Sequence, residues 1–231
     1  MAGSKGGRGG QGGGSYTLGT SASDVFGNKI DLTGFPLKYG QDDKSLSGAK
    51  RTTITNWEKK RGNQKIEYAY LIDKNGNALC ENKGGKGSVN TPTYLFNRAE
   101  VFTHIHPRGK GEEGFLGGTF STDDLRNFGS SANMMTYRAV AQEGVYSISK
   151  ASGFDAAGLN RYYTAENSRI MSQVRADSRA LVNDYKQGKI SYDEAVKKNR
   201  ELYNKGFVEM HDVLLAGQKQ YGYTYTLERR K

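Results

Sequence analysis

The chain has 231 residues, enough for one medium domain or a domain with a helical appendage and too few for two full cores. Lysine and arginine total 34 against 24 acidic residues, a formal charge of +10 that suits contact with nucleic acid or another acidic surface by counterion release. The single cysteine, Cys80, excludes an internal disulfide and any zinc site built on two cysteines. With 35% hydrophobic residues and no apolar run near the ~20 residues of a spanning helix, a multi-pass membrane protein is excluded and no membrane partner is expected.

Eight of the first fourteen residues are glycine, so residues 1–22 are expected to form a flexible tail, and the absence of an apolar stretch there predicts no signal peptide. Residues 23–64 read as a polar leader that packs on the core at a few aromatic points, with Thr52–Trp57 a short helix or strand. The organised part begins at Lys65. Ile66 to Ile72 is rich in β formers, Asp73-Lys74-Asn75-Gly76-Asn77 is a hairpin turn, and Ala78–Asn82 is the returning strand. Asn97–Glu100 closes a short helix. Val101–His106 reads as a strand stopped by Pro107, followed by a glycine-rich loop from Arg108 to Thr119. Ser121-Thr122-Asp123-Asp124 reads as a helix start, and Thr136–Val140 and Gly144–Ser149 as two more strands.

The last third changes period. Thr164 is a candidate N-cap, and Ile170, Met171, Val174, Leu181, Val182 and Tyr185 recur at helical spacing until Gly188. Ser191 and Glu194 have capping-box spacing before a second apolar stripe that Gly222 ends, and Tyr223–Leu227 alternates like an edge strand. The fold class is therefore α/β of the α+β kind, with a central mixed sheet at 65–150 and a helical hairpin with a terminal strand at 151–231.

Two of the three histidines are His104 and His106. On a strand the side chains repeat every second residue, so both imidazoles leave one face close enough to share an ion. A catalytic zinc takes three protein ligands and keeps one position open. Asp124 is the candidate third ligand. Ser121, one helical turn before it, is free in sequence terms either to cap the helix or to hydrogen-bond water or a developing oxyanion. His211 reads as a structural helix-face histidine and Cys80 as a small buried hydrophobe. The Lys83–Gly87 loop lacks the ending of a phosphate loop.

Thr103-His104-Ile105-His106-Pro107 followed by Ser121-Thr122-Asp123-Asp124 resembles the His-x-His-Pro … Ser-x-x-Asp signature of the JAB/JAMM (MPN) metallopeptidase superfamily. Glu67 to Gly76 resembles the strand, opened by the family's glutamate, in its RadC-like and phage-encoded branches. Tyr137 to Ile148 and the helical tail are similar to segments of JAB-like phage minor head and morphogenesis proteins. The resemblance implies a JAB-like sheet flanked by helices and Zn²⁺ on His104, His106 and Asp124. It also implies Glu67 as general base, Ser121 at the tetrahedral intermediate, and hydrolysis of peptide or isopeptide bonds. Glu100 shares the strand parity of the histidines, and Glu112 and Glu113 lie in the loop, so the glutamate has alternatives. The loop from Arg108 to Gly118 reads as a substrate-shaping insertion. The implied setting is a phage or mobile element, in the host cytoplasm or the virion, with a protein or peptide substrate and phage structural proteins as partners. Two readings of other classes stand beside it: a non-catalytic virion component that contacts nucleic acid non-specifically, and a metal-dependent nuclease or toxin domain.

Overall fold

The computed structural model describes residues 16–23, 27–107 and 113–230. Four short strands come first: β1 (Thr17–Gly19), β2 (Ser21–Ser23), β3 (Lys29–Asp31) and β4 (Leu37–Tyr39), with β1 paired to β4 and β2 to β3. The expected glycine-rich tail thus divides. Residues 1–15 lie outside the described residues, whereas Thr17–Gly19 and Ser21–Ser23 are held in antiparallel ladders.

Helix α1 (Gly48–Arg61) is longer than Thr52–Trp57 suggests. Its apolar signal is weak because it buries only Ile54, Trp57 and Glu58, the i, i+3, i+4 stripe of one face. The Trp57 ring stacks on Tyr70 with centroids 5.3 Å apart, an aromatic anchor of the leader on the sheet.

The central sheet has six strands in the order β10-β9-β8-β7-β5-β6. They are β5 (Tyr68–Ile72), β6 (Ala78–Lys83), β7 (Val101–Ile105), β8 (Thr136–Val140), β9 (Val145–Lys150) and β10 (Tyr223–Glu228). The hairpin at Asp73–Asn77 forms where the turn residues place it, and a four-residue helix, α2 (Thr93–Phe96), precedes β7. Only β7 and β8 are parallel. A parallel pair needs a crossover, and here the glycine-rich loop and α3 (Thr122–Ser130) supply it. A crossover helix runs back along the strands, so the N-terminus of α3 returns to the carboxyl end of β7.

Helix α4 (Ala156–Lys186) starts earlier than Thr164. The carboxylate of Asp155 accepts from the Gly158 N–H at 2.8 Å, and Leu159 and Tyr163 extend the buried stripe of Ile170 and Val174 backwards by two turns. Helix α5 (Tyr192–Tyr221) is capped by Ser191, whose Oγ accepts from the Glu194 N–H, and stops at Gly222. Gly222 has φ +65°, a left-handed conformation that glycine adopts without a Cβ penalty. The chain then re-enters the sheet as β10, pairing with β9 from Tyr223↔Lys150 to Glu228↔Val145. The C-terminal strand therefore completes the sheet of the 65–150 segment.

Side-chain parity divides the core. Phe102, Tyr137, Tyr146, Ile148, Tyr225 and Leu227 face α3, α4 and α5, together with Leu125, Phe128, Leu159, Ile170 and Leu214. Ile72, Val101, Ile105, Val140 and Val145 face α1. Burying each such side chain contributes about 1.5–3 kcal/mol. No helix among the described residues is long and apolar enough to cross a membrane.

Candidate metal centre

Strand β7 carries His104, and His106 continues its pairing just past the end, where the His106 N–H donates to the Val140 carbonyl at 2.9 Å. Both imidazoles leave one face, as the two-residue period requires, and their Nε2 atoms lie 2.8 Å apart. The crossover delivers Asp124 to the same point. Its Oδ1 is 3.4 Å from His104 Nε2 and its Oδ2 is 3.9 Å from His106 Nε2. Ligand atoms of the three residues all fall within 4.8 Å of one another, a group that could hold a metal ion.

Each donor is held by a second partner. His104 Nδ1 lies 2.9 Å from the Arg138 carbonyl, an acceptor only, so that nitrogen carries the proton and Nε2 keeps its lone pair for a ligand. His106 Nδ1 faces the Gly118 carbonyl at 3.3 Å in the same way. Gly118 has φ +76°, the conformation that lets this carbonyl turn toward the ring. Glu143 fixes the turn by accepting from the N–H groups of Gly117 at 2.8 Å and Gly118 at 3.0 Å. Asn204 of α5 clamps the loop on its other side, accepting from Leu116 N–H and donating to the Gly114 carbonyl, both at 2.8 Å.

Ser121 and Asp124 form a complete capping box. Ser121 Oγ accepts from the Asp124 N–H at 3.1 Å and donates to Oδ2 at 2.7 Å, while the Ser121 N–H donates to the same Oδ2 at 2.7 Å. Capping of the helix and orientation of the Asp124 carboxylate are thus one arrangement. The hydroxyl proton of Ser121 is already given to Asp124, so donation to an oxyanion requires that bond to open. Tyr137, on β8, donates to Asp124 Oδ1 at 3.0 Å. Burial pushes the Asp124 carboxyl up, but the positive charge that His104 and His106 carry when protonated, together with the Ser121 hydrogen bonds, outweighs it and holds the group below the usual carboxylate range.

Glu67 sits one residue before β5, with its N–H donating to the Gly85 carbonyl at 2.7 Å and its carbonyl accepting from the Gly84 N–H at 2.8 Å. Ala69 pairs with His104 in the antiparallel β5–β7 register, so two residues further along Glu67 stands opposite His106 on the same face. Its half-buried carboxyl is pushed up to about 7, first by burial and then by the charge of Asp124. Glu100 is drawn elsewhere, its carboxylate paired with Lys50 of α1. Glu112 and the loop residues from Arg108 lie outside the described residues, and Glu113 is not part of the metal-capable group.

Of the residues singled out from the sequence, His104, His106, Asp124, Ser121 and Glu67 come together. Tyr137, Glu143 and the Arg138 and Gly118 carbonyls are support that sequence reasoning misses. No local spacing marks them, because the parallel β7–β8 register and the loop path put them there. His211 is structural, buried with Nδ1 2.9 Å from the Tyr225 hydroxyl and Nε2 2.9 Å from the Lys38 carbonyl. Cys80 is half-buried in β6, and burial pushes its thiol up.

The fold and the site together define an α+β domain with a His–His–Asp cluster at the carboxyl end of a parallel strand pair and a carboxyl group of raised pKa beside it. Comparison with protein-family models, with curated proteins and with solved structures gives no match.

Proposed function

We propose that this chain is a zinc-dependent hydrolase of peptide or isopeptide bonds of the JAB/JAMM type. The observation that carries the reading is the meeting of three donors with a raised-pKa carboxyl: His104, His106 and Asp124 on one point, and Glu67 across from His106. Two neutral imidazoles and one carboxylate are the donor set of a catalytic zinc with a position left open. Zinc held there supplies Lewis acidity, polarising a carbonyl and making water acidic enough to lose a proton near pH 7.

The chain's own residues supply the rest. Arg138 and Gly118 fix the imidazole tautomers through their carbonyls, and Ser121 and Tyr137 hold the two oxygens of Asp124. Glu67, across from His106, takes a proton from water at its carboxylate and passes it to the leaving amine. The site lies 5% exposed at the His104 side chain, 17% at His106 and 14% at Asp124, closed enough to strengthen electrostatics and open enough to be reached. A phage or mobile-element origin belongs to the same reading and rests on the resemblance of the motifs alone.

The test is metal content by atomic emission, wild type beside His104→Ala/His106→Ala, with cleavage of a peptide or isopeptide library measured in parallel. Wild type is expected to carry about one zinc per chain and the double variant none. Glu67→Gln is expected to keep the zinc and lose turnover by roughly two to four orders of magnitude. Equal zinc in wild type and the double variant sinks the proposal, and full activity in Glu67→Gln moves the base elsewhere.

A further inference from the structure

The opposite face of the sheet holds a second built environment. Arg138 alternates with Tyr137 and Ala139, so it points away from the candidate metal centre, into a polar layer under α1. It is fully buried and bound by two carboxylates: Nε is 2.7 Å from Glu58 Oε1, and Nη2 is 3.0 Å from Glu228 Oε2. Burial works against its charge, but Glu58 and Glu228 more than offset this and keep it ionised. Above this triad opens a cavity of about 440 Å³, a size that holds a small molecule.

Basic residues from two distant segments converge on that cavity. Lys59 comes from the last turn of α1, and Arg229 and Arg230 follow β10, from opposite ends of the chain. The acidic lining is already engaged: Glu58 and Glu228 hold Arg138, and Asp42 faces Arg51 at 3.6 Å. Among the described residues, Lys59, Arg229 and Arg230 meet no carboxylate within 4.0 Å. Arg229 lies over the Tyr39 ring, 4.1 Å from its centroid, and Arg230 Nη2 donates to Asn63 Oδ1 at 2.8 Å. Three cations thus surround one cavity, Lys59 and Arg229 exposed and Arg230 half-buried, and among the described residues none is paired with a carboxylate, so all three can meet an anion that enters.

We infer that this cavity binds a compact dianion, a phosphoryl- or carboxylate-bearing small molecule, with Lys59, Arg229 and Arg230 supplying the charge and the Arg138–Glu58–Glu228 triad a rigid floor. Guanidinium groups suit both anions because their paired N–H donors match two oxygens of either. A nucleic-acid strand fits less well: the cations converge on one concavity and do not track a backbone, and among the described residues no aromatic ring lines the cavity for stacking. The site is independent of the proposed hydrolase, since it uses the other sheet face and none of the same side chains.

The test is isothermal titration of the full chain with inorganic phosphate and, separately, with malonate. Saturable one-to-one binding of at least one is expected, phosphate marking the phosphoryl class and malonate the carboxylate class. Arg230→Gln and Lys59→Gln are each expected to weaken it roughly ten-fold. Lys59 is exposed on its helix, so that variant tests the site without disturbing the core. Lys197→Gln, the same charge change at an exposed lysine of α5 away from the cavity, is expected to bind like wild type. The inference is overturned by no saturable binding of either anion, by unchanged affinity in both Arg230→Gln and Lys59→Gln, or by an equal loss in Lys197→Gln. Tighter binding of a single-stranded oligonucleotide, lost in those same two variants, overturns it in favour of nucleic acid.

Discussion

Protonation of His211 gives a direct measure of how firmly the helical hairpin is docked on the sheet. The Lys38 carbonyl can only accept, so Nε2 carries the proton and Nδ1 accepts from the Tyr225 hydroxyl. Tyr225 in turn meets Thr119 Oγ1 at 2.9 Å, which makes a directed chain from the glycine-rich loop through β10 and α5 to β4. Burial holds the His211 imidazole down at about 4, against an ordinary value of 6.5, with the Lys38 hydrogen bond and Asp212 pulling the other way. The unfolded chain therefore binds the proton first as pH falls, and stability present above pH 6.5 is lost progressively between 6.5 and about 4. The full gap is worth about 3 kcal/mol, of which about 2 kcal/mol is lost between pH 7 and pH 5.

Glu67 acts with the opposite sign. Its carboxyl is raised from 4.5 to about 7, so its contribution favours the folded chain at low pH and fades as pH rises through that window. Asp43 and Asp124, both depressed, matter only below their ordinary 3.8. The assay is therefore a difference: urea unfolding of wild type and His211→Gln at pH 5, 6 and 7, both chains carrying Glu67. The wild type's advantage is expected to shrink by about 2 kcal/mol from pH 7 to pH 5. Parallel pH profiles for the two proteins would refute the assignment of a buried neutral histidine.

Three further outcomes follow from particular contacts. Ser121→Ala removes both an N-cap acceptor and a donor to Asp124, and is expected to cost about 1 kcal/mol in chemical denaturation, with weaker zinc retention in the same protein. Tyr137→Phe keeps the ring packed but deletes the donor on Asp124 Oδ1. Competition with a metal chelator should show zinc affinity lowered by roughly ten-fold or more, and an unchanged affinity would assign Tyr137 to packing alone. Arg138→Met leaves Glu58 and Glu228 buried without their cation and is expected to cost about 3–5 kcal/mol in denaturant unfolding, the largest loss of the set.

Local chemistry in the sequence settled those features whose physics acts over a few residues. The turn at Asp73–Asn77, the strand holding His104, the caps at Ser121 and Ser191 and the stop at Gly222 each follow from residues within one turn of one another. The same holds for the pairing of His104 with His106, since a period of two puts them on one face wherever the strand lies. Register and crossover path obey no such local rule. That β7 and β8 run parallel decides that the tip of α3 returns to the imidazoles, and the β5–β7 register sets Glu67 opposite His106 while Glu100 pairs with Lys50. The extent of α1 and the early start of α4 were likewise set by tertiary burial, because a helix with one short apolar stripe carries little periodic signal before it meets its sheet. Gathering Lys59, Arg229 and Arg230 around one cavity needed the whole fold, for contacts between distant segments come from chain closure and packing and leave no trace in spacing.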